Sequence, residues 1–258
     1  MGNVSTKKPR IIASIEARMA SSRLPGKVLI DINGKALIGR IVQRLKRCPS
    51  LDGIVLATTT NPNDDPIASW AAANDVTCFR GNEDDVLLRV VEAQRMMDSE
   101  IAVEICGDTP LLDPEVLEFG IQTFLNNDCD LVSNTWKLSY PMGVDVQVFP
   151  LRLLEEVAAT IKEPEVREHV SLYFYQHPER YRILHLLAPQ RWHAPGFRFQ
   201  VDYQEDLAFV REVYRRLAPE HGDDFGLEEI MRLLREEPSL GELNRNCEET
   251  HIEGRHVV

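Results

Sequence analysis

Short apolar runs alternate with amphipathic stretches along the first half of the chain. Five runs have the length and composition of buried strands and are predicted at 10–15, 53–58, 76–79, 101–106 and 130–133. Helices are predicted between them at 36–48, from Asp65, at 84–97 and from Asp113. Asp65 and Asp113 each precede a proline, the usual order of a helix cap and first helical residue. Strands separated by helices predict βαβ units, a parallel sheet and an α/β fold.

The pattern changes after residue 134. Further elements are predicted there: strands at 140–149, 180–188 and 197–201, and helices at 164–176, 205–217 and 226–236. We interpret residues 1–258 as one domain. Its parts are a core at about 10–134, a small α+β insertion at about 135–200, and a return to the core with closing helices at about 201–236.

Composition and charge narrow the class of protein. The 258 residues are 43% hydrophobic and carry a net charge of −12, which predicts a buried core and argues against nucleic acid or an anionic membrane as partner. The five cysteines form no C-x-x-C pair, which predicts a reducing compartment and no structural zinc. The polar start, Met1 to Arg10, and the lack of a long apolar run predict a cytoplasmic protein. A nucleotide site in such an acidic chain has to concentrate its cations locally.

The segment 16–27 meets that requirement directly after the first predicted strand. It places Arg18, Arg23 and Lys27 close together with Ser22 and other small residues. Such side chains and free backbone N–H groups suit a triphosphate, with Lys27 offsetting charge on departing pyrophosphate. The alternative is a solvated basic loop. The chain has neither the G-x-x-x-x-G-K-[ST] nor the G-x-G-x-x-G phosphate-binding pattern.

Two aspartates are candidate metal ligands because each follows a predicted strand. Asp108 comes after the strand at 101–106 and Asp202 after the one at 197–201. Magnesium binds one or two protein carboxylates and completes its shell with water and phosphate oxygens. The alternatives are a turn-forming role for Asp108 and a helix N-terminus for Asp202. For Asp113 we favour helix capping over metal binding.

Two further segments predict contacts to the nucleoside and to an acceptor. Arg80 and Gly81 allow a close backbone approach, and Asp85 is a candidate acceptor for a ribose or base donor, although an ordinary loop with a helix cap is an equal alternative. We expect a polyhydroxylated, anionic acceptor to be contacted by Asp145, Gln147, Arg167 and His169. A lone histidine on a helix is more often structural, and His251 and His256 have no metal-ligand spacing.

Taken in order, six segments resemble one family. They are ARMASSRLPGKVL, TTTNPNDDPIA, FRGNEDDVLLR, GDTPLLDP, EVREHVSLYFYQHPERYRI and FQVDYQEDLAFV. The chain, from about Arg10 to Leu217, resembles the cytidylyltransferases, a family that includes SpsF and the Kdo (3-deoxy-manno-octulosonate) and acylneuraminate cytidylyltransferases. The resemblance implies a Rossmann-like nucleotidyltransferase fold of the nucleotide-diphospho-sugar transferase type, with a mixed, mainly parallel sheet flanked by helices. It also implies CTP, Mg²⁺ and a homodimer.

The resemblance also assigns roles to residues. By motif, Ala17 would be among the nucleotide-binding residues. The phosphates would be bound by Arg18, Ser22, Arg23 and Lys27, and the nucleoside would be contacted by Arg80, Gly81 and Asp85. Asp108 and Asp202 would bind metal, and His169 would lie on the sugar side. Arg18, Arg23, Lys27 and Asp108 would be catalytic. Glu16 departs from the usual Gln or Pro and Cys106 from Thr or Gln, which leaves the acceptor open.

The expected reaction is attack of an acceptor oxygen on the α-phosphorus of CTP, with pyrophosphate leaving. The implied acceptor is an acid sugar, Kdo-like or nonulosonic, for surface polysaccharide or glycan synthesis. One alternative is a sugar-nucleotide-dependent glycosyltransferase, which the cations after the first strand and the lack of a D-x-D at a strand end argue against. The other is a non-catalytic nucleotide-binding module.

Overall fold

The computed structural model describes residues 8–248 and 252–258. His251 and the polar start before Lys8 lie outside the described residues. The strands are β1 Ile11–Glu16, β2 Asp31–Ile32, β3 Lys35–Ala36, β4 Gly53–Thr59, β5 Thr77–Gly81, β6 Ile101–Cys106, β7 Leu131–Ser133, β8 Lys137–Leu138, β9 Gln147–Pro150, β10 Ile183–His185 and β11 His256–Val257. The helices are α1 Leu37–Leu45, α2 Asp65–Ala73, α3 Val86–Met96, α4 Pro114–Asn126, α5 Leu151–Thr160, α6 Pro164–Glu168, α7 Leu172–Gln176, α8 Gln204–His221 and α9 Leu227–Glu236.

The described residues form one seven-stranded sheet with the order β10-β7-β9-β6-β1-β4-β5. Neighbouring strands run parallel except around β9, which is antiparallel to both β6 and β7. Strands β1 and β6 lie near the centre and are buried along five of their six residues, which explains their continuous apolar sequences. The predicted α/β class with a mixed, mainly parallel sheet is confirmed.

Helices cover both faces of the sheet, and alternate residues of β1 show which helix covers which face. Ile11, Ala13 and Ile15 belong to a core that includes buried residues of α1, α4, α8 and α9. Ile12 packs instead with Ala93 of α3. Because side chains of a strand alternate between its faces, Ser14 and Glu16 share the α3 face with Ile12. Gln94 of α3 confirms this by donating to Ser14 Oγ at 3.0 Å.

The insertion differs from its prediction in several places. Of the predicted strand at 140–149, only residues 147–149 pair in the sheet, as part of β9. Gly143 adopts φ 92° and turns the chain before them. The predicted strand at 197–201 is wrong: its pairing in the described structure is one isolated bridge, Met142 to Arg198. The predicted helix at 164–176 is two short helices, interrupted where His169 leaves the helical region at φ −113° and ψ 97°.

Smaller corrections concern helix ends. Asp113 caps α4 as predicted, since its Oδ1 accepts from the N–H groups of Glu115 and Val116 at 2.9 Å. Asp65 is the first residue of α2 rather than its cap. Helix α5, which buries Leu154 and Val157 among its residues, was not predicted. Across the described ranges, no helix is both long and apolar enough to cross a bilayer.

Candidate active site

A cavity of about 400 Å³ opens at the carboxyl ends of β1 and β6. In parallel sheets this edge is where ligands bind. The segment 17–27 lines one side, and residues 168–172 line the opposite side. Of the predicted site residues, the structure brings together at this cavity Ala17, Arg18, Ser22, Arg23, Lys27, Asp108, Asp145, Gln147, His169 and Asp202.

The loop after β1 is held in shape by a buried aspartate. Asp64 Oδ1 accepts from Met19 N at 2.7 Å, and its other oxygen accepts from Thr59 Oγ1. Gly26 turns the chain at φ 73°, and its N–H donates to Met19 O at 2.9 Å. The loop thus leads into a 3₁₀ turn, Lys27–Leu29, that directs Lys27 into the cavity. Sequence reasoning missed Asp64, although it lies within the TTTNPNDDPIA segment.

Close approach of two strand ends places Asp108 beside this loop. A Cβ added to Gly107 would lie 2.2 Å from Glu16 O, so only glycine fits between β1 and the chain leaving β6. Val201 N donates to Asp108 O at 2.8 Å. Because Val201 directly precedes Asp202, this hydrogen bond holds Asp202 beside Asp108. Residues far apart in sequence therefore meet at one point.

We call Arg23, Lys27, Asp108, Arg198 and Asp202 the Lys27 cluster. Lys27 Nζ donates to Asp108 Oδ2 and to Asp202 Oδ1, both at 2.7 Å. Burial opposes the charge of Lys27, yet the two carboxylates raise its pKa above the ordinary value. Burial likewise opposes ionisation of Asp202, but Lys27, Arg198 and Arg23 lower its pKa. In the cluster, the cationic and anionic side chains therefore stabilise each other's charged forms.

A second layer fixes Asp202. Arg198 donates to Asp202 Oδ2 and, through Nε, to Asp206 Oδ1 at 3.0 Å. Asp206 is fully buried and also accepts from Asn244 Nδ2 at 2.9 Å and from the N–H groups of residues 202 and 203. Gln200 Nε2 contacts both Asp108 and Asp202, at 3.3 and 3.2 Å. Arg198 and Gln200 were missed by sequence reasoning, although Gln200 lies two residues from Asp202 and so on the same side of an extended chain.

The donor set suits magnesium. Two carboxylates converge, and Asp108 Oδ1 is buried without a hydrogen-bond partner in the described structure. Within those same residues, no group of three or more His, Cys, Asp or Glu side chains is arranged to hold a metal. A metal that takes two protein carboxylates and fills its shell with water and phosphate oxygens fits this arrangement.

The part of the cavity lined by Gln147 and Tyr175 is rich in hydrogen-bonding groups. Gln147 Oε1 accepts from Tyr175 Oη at 3.0 Å, and Trp136 stacks on Tyr175 with centroids 4.6 Å apart. Arg18 crosses the cavity to Glu168, with 2.8 Å between Nη2 and Oε1. Tyr175, Trp136 and Glu168 were not among the predicted site residues.

Four predicted site residues lie outside this cavity. Arg80 donates to the carbonyl oxygens of residues 59 and 61 and pairs with Asp65, and Gly81 is covered by Phe79 and Arg89. Asp85 caps α3 through Leu88 N and pairs with Arg167. Arg167 also donates to two carbonyl oxygens at the end of α5. Packing within the protein accounts for all four, and their ligand roles stay predictions.

Two carboxyl groups meet on the α3 face of the sheet, and we call Glu16 and Glu104 the carboxyl pair. They line the cavity and hydrogen-bond to each other. Burial, partly offset by Arg89, raises the pKa of Glu16 to about 7. Burial and the neighbouring Glu16 raise the pKa of Glu104 well above its ordinary value. At neutral pH the pair therefore retains a proton.

Comparisons with known proteins identify the family and the fold. A family model described as cytidylyltransferase matches residues 12–245. The spore coat polysaccharide biosynthesis protein SpsF of Bacillus subtilis (strain 168) is 31% identical over 233 residues, covering 88% of this chain and 95% of that protein. A 3-deoxy-manno-octulosonate cytidylyltransferase of Syntrophotalea carbinolica is 33% identical over 111 residues, covering 43% of this chain and 44% of the other. The solved cytidylyltransferase from Leptospira borgpetersenii shares the fold, with a TM-score of 0.83, 24% identity, and coverage of 94% of this chain and 98% of that one.

Proposed function

The chain belongs to the cytidylyltransferase family, and we propose on that premise that it transfers CMP from CTP to an acid-sugar acceptor, releasing pyrophosphate. The names of two relatives support this choice: one is a polysaccharide biosynthesis protein, and the other acts on 3-deoxy-manno-octulosonate. We also propose that the protein works as a homodimer in the cytoplasm.

One observation carries the proposal. Lys27 bridges Asp108 and Asp202 at 2.7 Å beside the loop that follows β1, so a cation and two carboxylates able to bind a metal share one point of the cavity. A nucleoside triphosphate needs both, because its charge is neutralised by cationic side chains and by Mg²⁺. A module that only bound a sugar would need neither.

In an in-line displacement at the α-phosphorus, different residues of the cavity would bind the phosphates and the acceptor. Arg18, Arg23 and Lys27, with the N–H group of Ser22, would bind and orient the β- and γ-phosphates and offset the charge of pyrophosphate as it leaves. An acceptor oxygen forms a bond to the α-phosphorus while the bond from that phosphorus to the bridging oxygen of pyrophosphate breaks, and the hydroxyl proton of the acceptor passes to solvent. Gln147, Asp145 and His169 would bind and orient the acceptor so that its oxygen faces the phosphorus.

Asp108 and Asp202 would hold Mg²⁺. When bound, this ion lowers the repulsion between the anionic nucleotide and the anionic acceptor. Lys27 then has to yield part of its contact with one carboxylate, and the phosphates supply its replacement partners.

Pyrophosphate release tests the proposal. The purified protein is incubated with Mg²⁺, each of the four nucleoside triphosphates, and a panel of acid sugars that includes Kdo and sialic-type acids. We expect release with CTP and with at least one acid sugar, and loss of release in EDTA. Release without any acceptor, or transfer from a sugar nucleotide instead of CTP, would contradict the proposal.

A further inference from the structure

The carboxyl pair is a buried acidic site whose two members hydrogen-bond to each other, and each member keeps one carboxyl oxygen without a donor among the described residues. Glu104 is only 6% exposed, and both side chains line the cavity. Glu16 Oε1 and Glu104 Oε2 are buried and accept no hydrogen bond from any N–H or O–H of the described residues. Two carboxyls held together in this way require a proton or a cation.

The protein's own cations are engaged elsewhere. Arg89 acts on Glu16 electrostatically, but its guanidinium donates to the carbonyl oxygens of residues 57, 82 and 83. Arg18 is paired with Glu168 at 2.8 Å, and Arg255 donates to Thr135 O at 2.7 Å. The other charged groups that raise the pKa of Glu16 or Glu104 are acidic: Asp108, Asp145 and Glu168. This end of the cavity therefore favours a positive ligand group.

We propose that Glu16 and Glu104 form a subsite for a primary ammonium group on the acceptor. The inference rests on the proposed function, since it specifies the chemistry of that acceptor. An ammonium brings one positive charge and three donors, which is enough to serve both carboxyls at once. A hydroxyl at the same carbon brings one donor and no charge. An acetamide brings one donor and added bulk.

The position of the pair relative to the Lys27 cluster fits such an acceptor. The Lys27 cluster lies beside the loop that follows β1, whereas Glu104 lies two residues before the end of β6 on the α3 face of the sheet. An acid sugar can place its anionic group near the cations and its amino group near the carboxyl pair. When the ammonium binds, the carboxyl O–H bond of the pair breaks and water accepts the proton, while no bond between heavier atoms changes.

Matched acceptors test the subsite. Kdo and a nine-carbon keto-acid sugar are prepared with a hydroxyl, a free amine or an acetamide at the same carbon. In the wild type we expect kcat/KM for an amino form to exceed that of its hydroxyl form by about tenfold or more, as charge-assisted hydrogen bonds allow. Glu16→Gln and Glu104→Gln should each bring the two forms to within about threefold. Glu155→Gln is the matched control, because Glu155 pairs with Arg95 outside the cavity, and should keep the preference.

The outcomes separate this proposal from the proposed function. No amino preference in the wild type, or a preference that persists in both glutamine variants, overturns the subsite even if CMP transfer is observed. If no acceptor releases pyrophosphate, the proposed function fails, and calorimetry with the same sugars judges the subsite alone. Tighter binding of an amino form to wild type than to Glu104→Gln then supports it, and equal or no binding overturns it. Retained CTP binding verifies that both variants fold.

Discussion

The Lys27 cluster and the carboxyl pair lie in one cavity, yet they handle buried charge in opposite ways. In the cluster, Asp108 and Asp202 are each matched by Lys27 at 2.7 Å, with Arg23 and Arg198 also on Asp202. In the pair, Glu16 and Glu104 face each other, and their raised pKa values make a retained proton substitute for a countercharge. On the proposed function, the cluster would exchange its ion pairs for contacts with metal and phosphate. The pair is incomplete until a donor-rich or positive group arrives.

Removing the charge at the centre of the cluster should have the largest effect. Lys27→Met leaves two neighbouring carboxylates without their shared ammonium and removes a cation from the departing pyrophosphate. We expect turnover at saturating CTP to fall by about 10²–10³-fold, measured by pyrophosphate release. Lys35→Met is the matched control: Lys35 pairs with Asp223 on the surface and should leave turnover unchanged. A similar loss of turnover in both variants would contradict a specific role of Lys27 in catalysis.

Breaking the layer behind the cluster should mainly cost stability. Asp206 is fully buried and accepts from Arg198, Asn244 and two backbone N–H groups. Asp206→Asn leaves Arg198 partly uncompensated, so we expect the free energy of unfolding to fall by about 3 kcal/mol in urea titrations. Glu212→Gln, which disrupts surface pairs with Arg215 and Arg216, should cost under about 1 kcal/mol. Equal losses would contradict the distinction between the two sites.

The carboxyl pair should reveal itself through pH. Because the pKa of Glu16 is about 7 in the fold against an ordinary 4.5, the folded state binds more protons across that window. Stability from Glu16 is therefore present at low pH and is lost as pH rises through about 7. Relative to Glu16→Gln, the wild type should lose on the order of 2 kcal/mol between about pH 5 and pH 8. Urea unfolding of both proteins at four pH values measures the difference, and a difference independent of pH would contradict the raised pKa.

The smallest effect is expected outside both sites. Arg80 is held by the carbonyl oxygens of residues 59 and 61 and by Asp65, away from the cavity. We expect Arg80→Gln to change KM for CTP by less than about threefold, against about tenfold for Arg23→Gln, which on the proposed function would lose a charged contact with phosphate. A larger effect of Arg80→Gln would restore the nucleoside role that the family resemblance assigns to Arg80.

The sequence predicts those features that depend on neighbouring residues better than those that depend on residues far apart in the chain. Strands β1, β4 and β6 were predictable because burial on both faces leaves continuous apolar runs. The insertion was not, because Tyr140 to Val146 is apolar through loop packing against residues 197–199 rather than through strand pairing. Asp108 and Asp202 were identified from their places after apolar segments. Arg198, Glu168 and Glu104 carry no local signal, since their partners come from distant segments of the chain.

We propose that this chain joins CMP to an acid sugar through the Lys27 cluster. The most direct test is ³¹P NMR of a reaction containing CTP, Mg²⁺ and the acid-sugar panel, with wild type and Asp108→Asn run side by side. We expect a new phosphodiester signal and an equal amount of pyrophosphate with wild type, and neither with Asp108→Asn. Product formation at wild-type rates by Asp108→Asn, or pyrophosphate without a phosphodiester product, would contradict it.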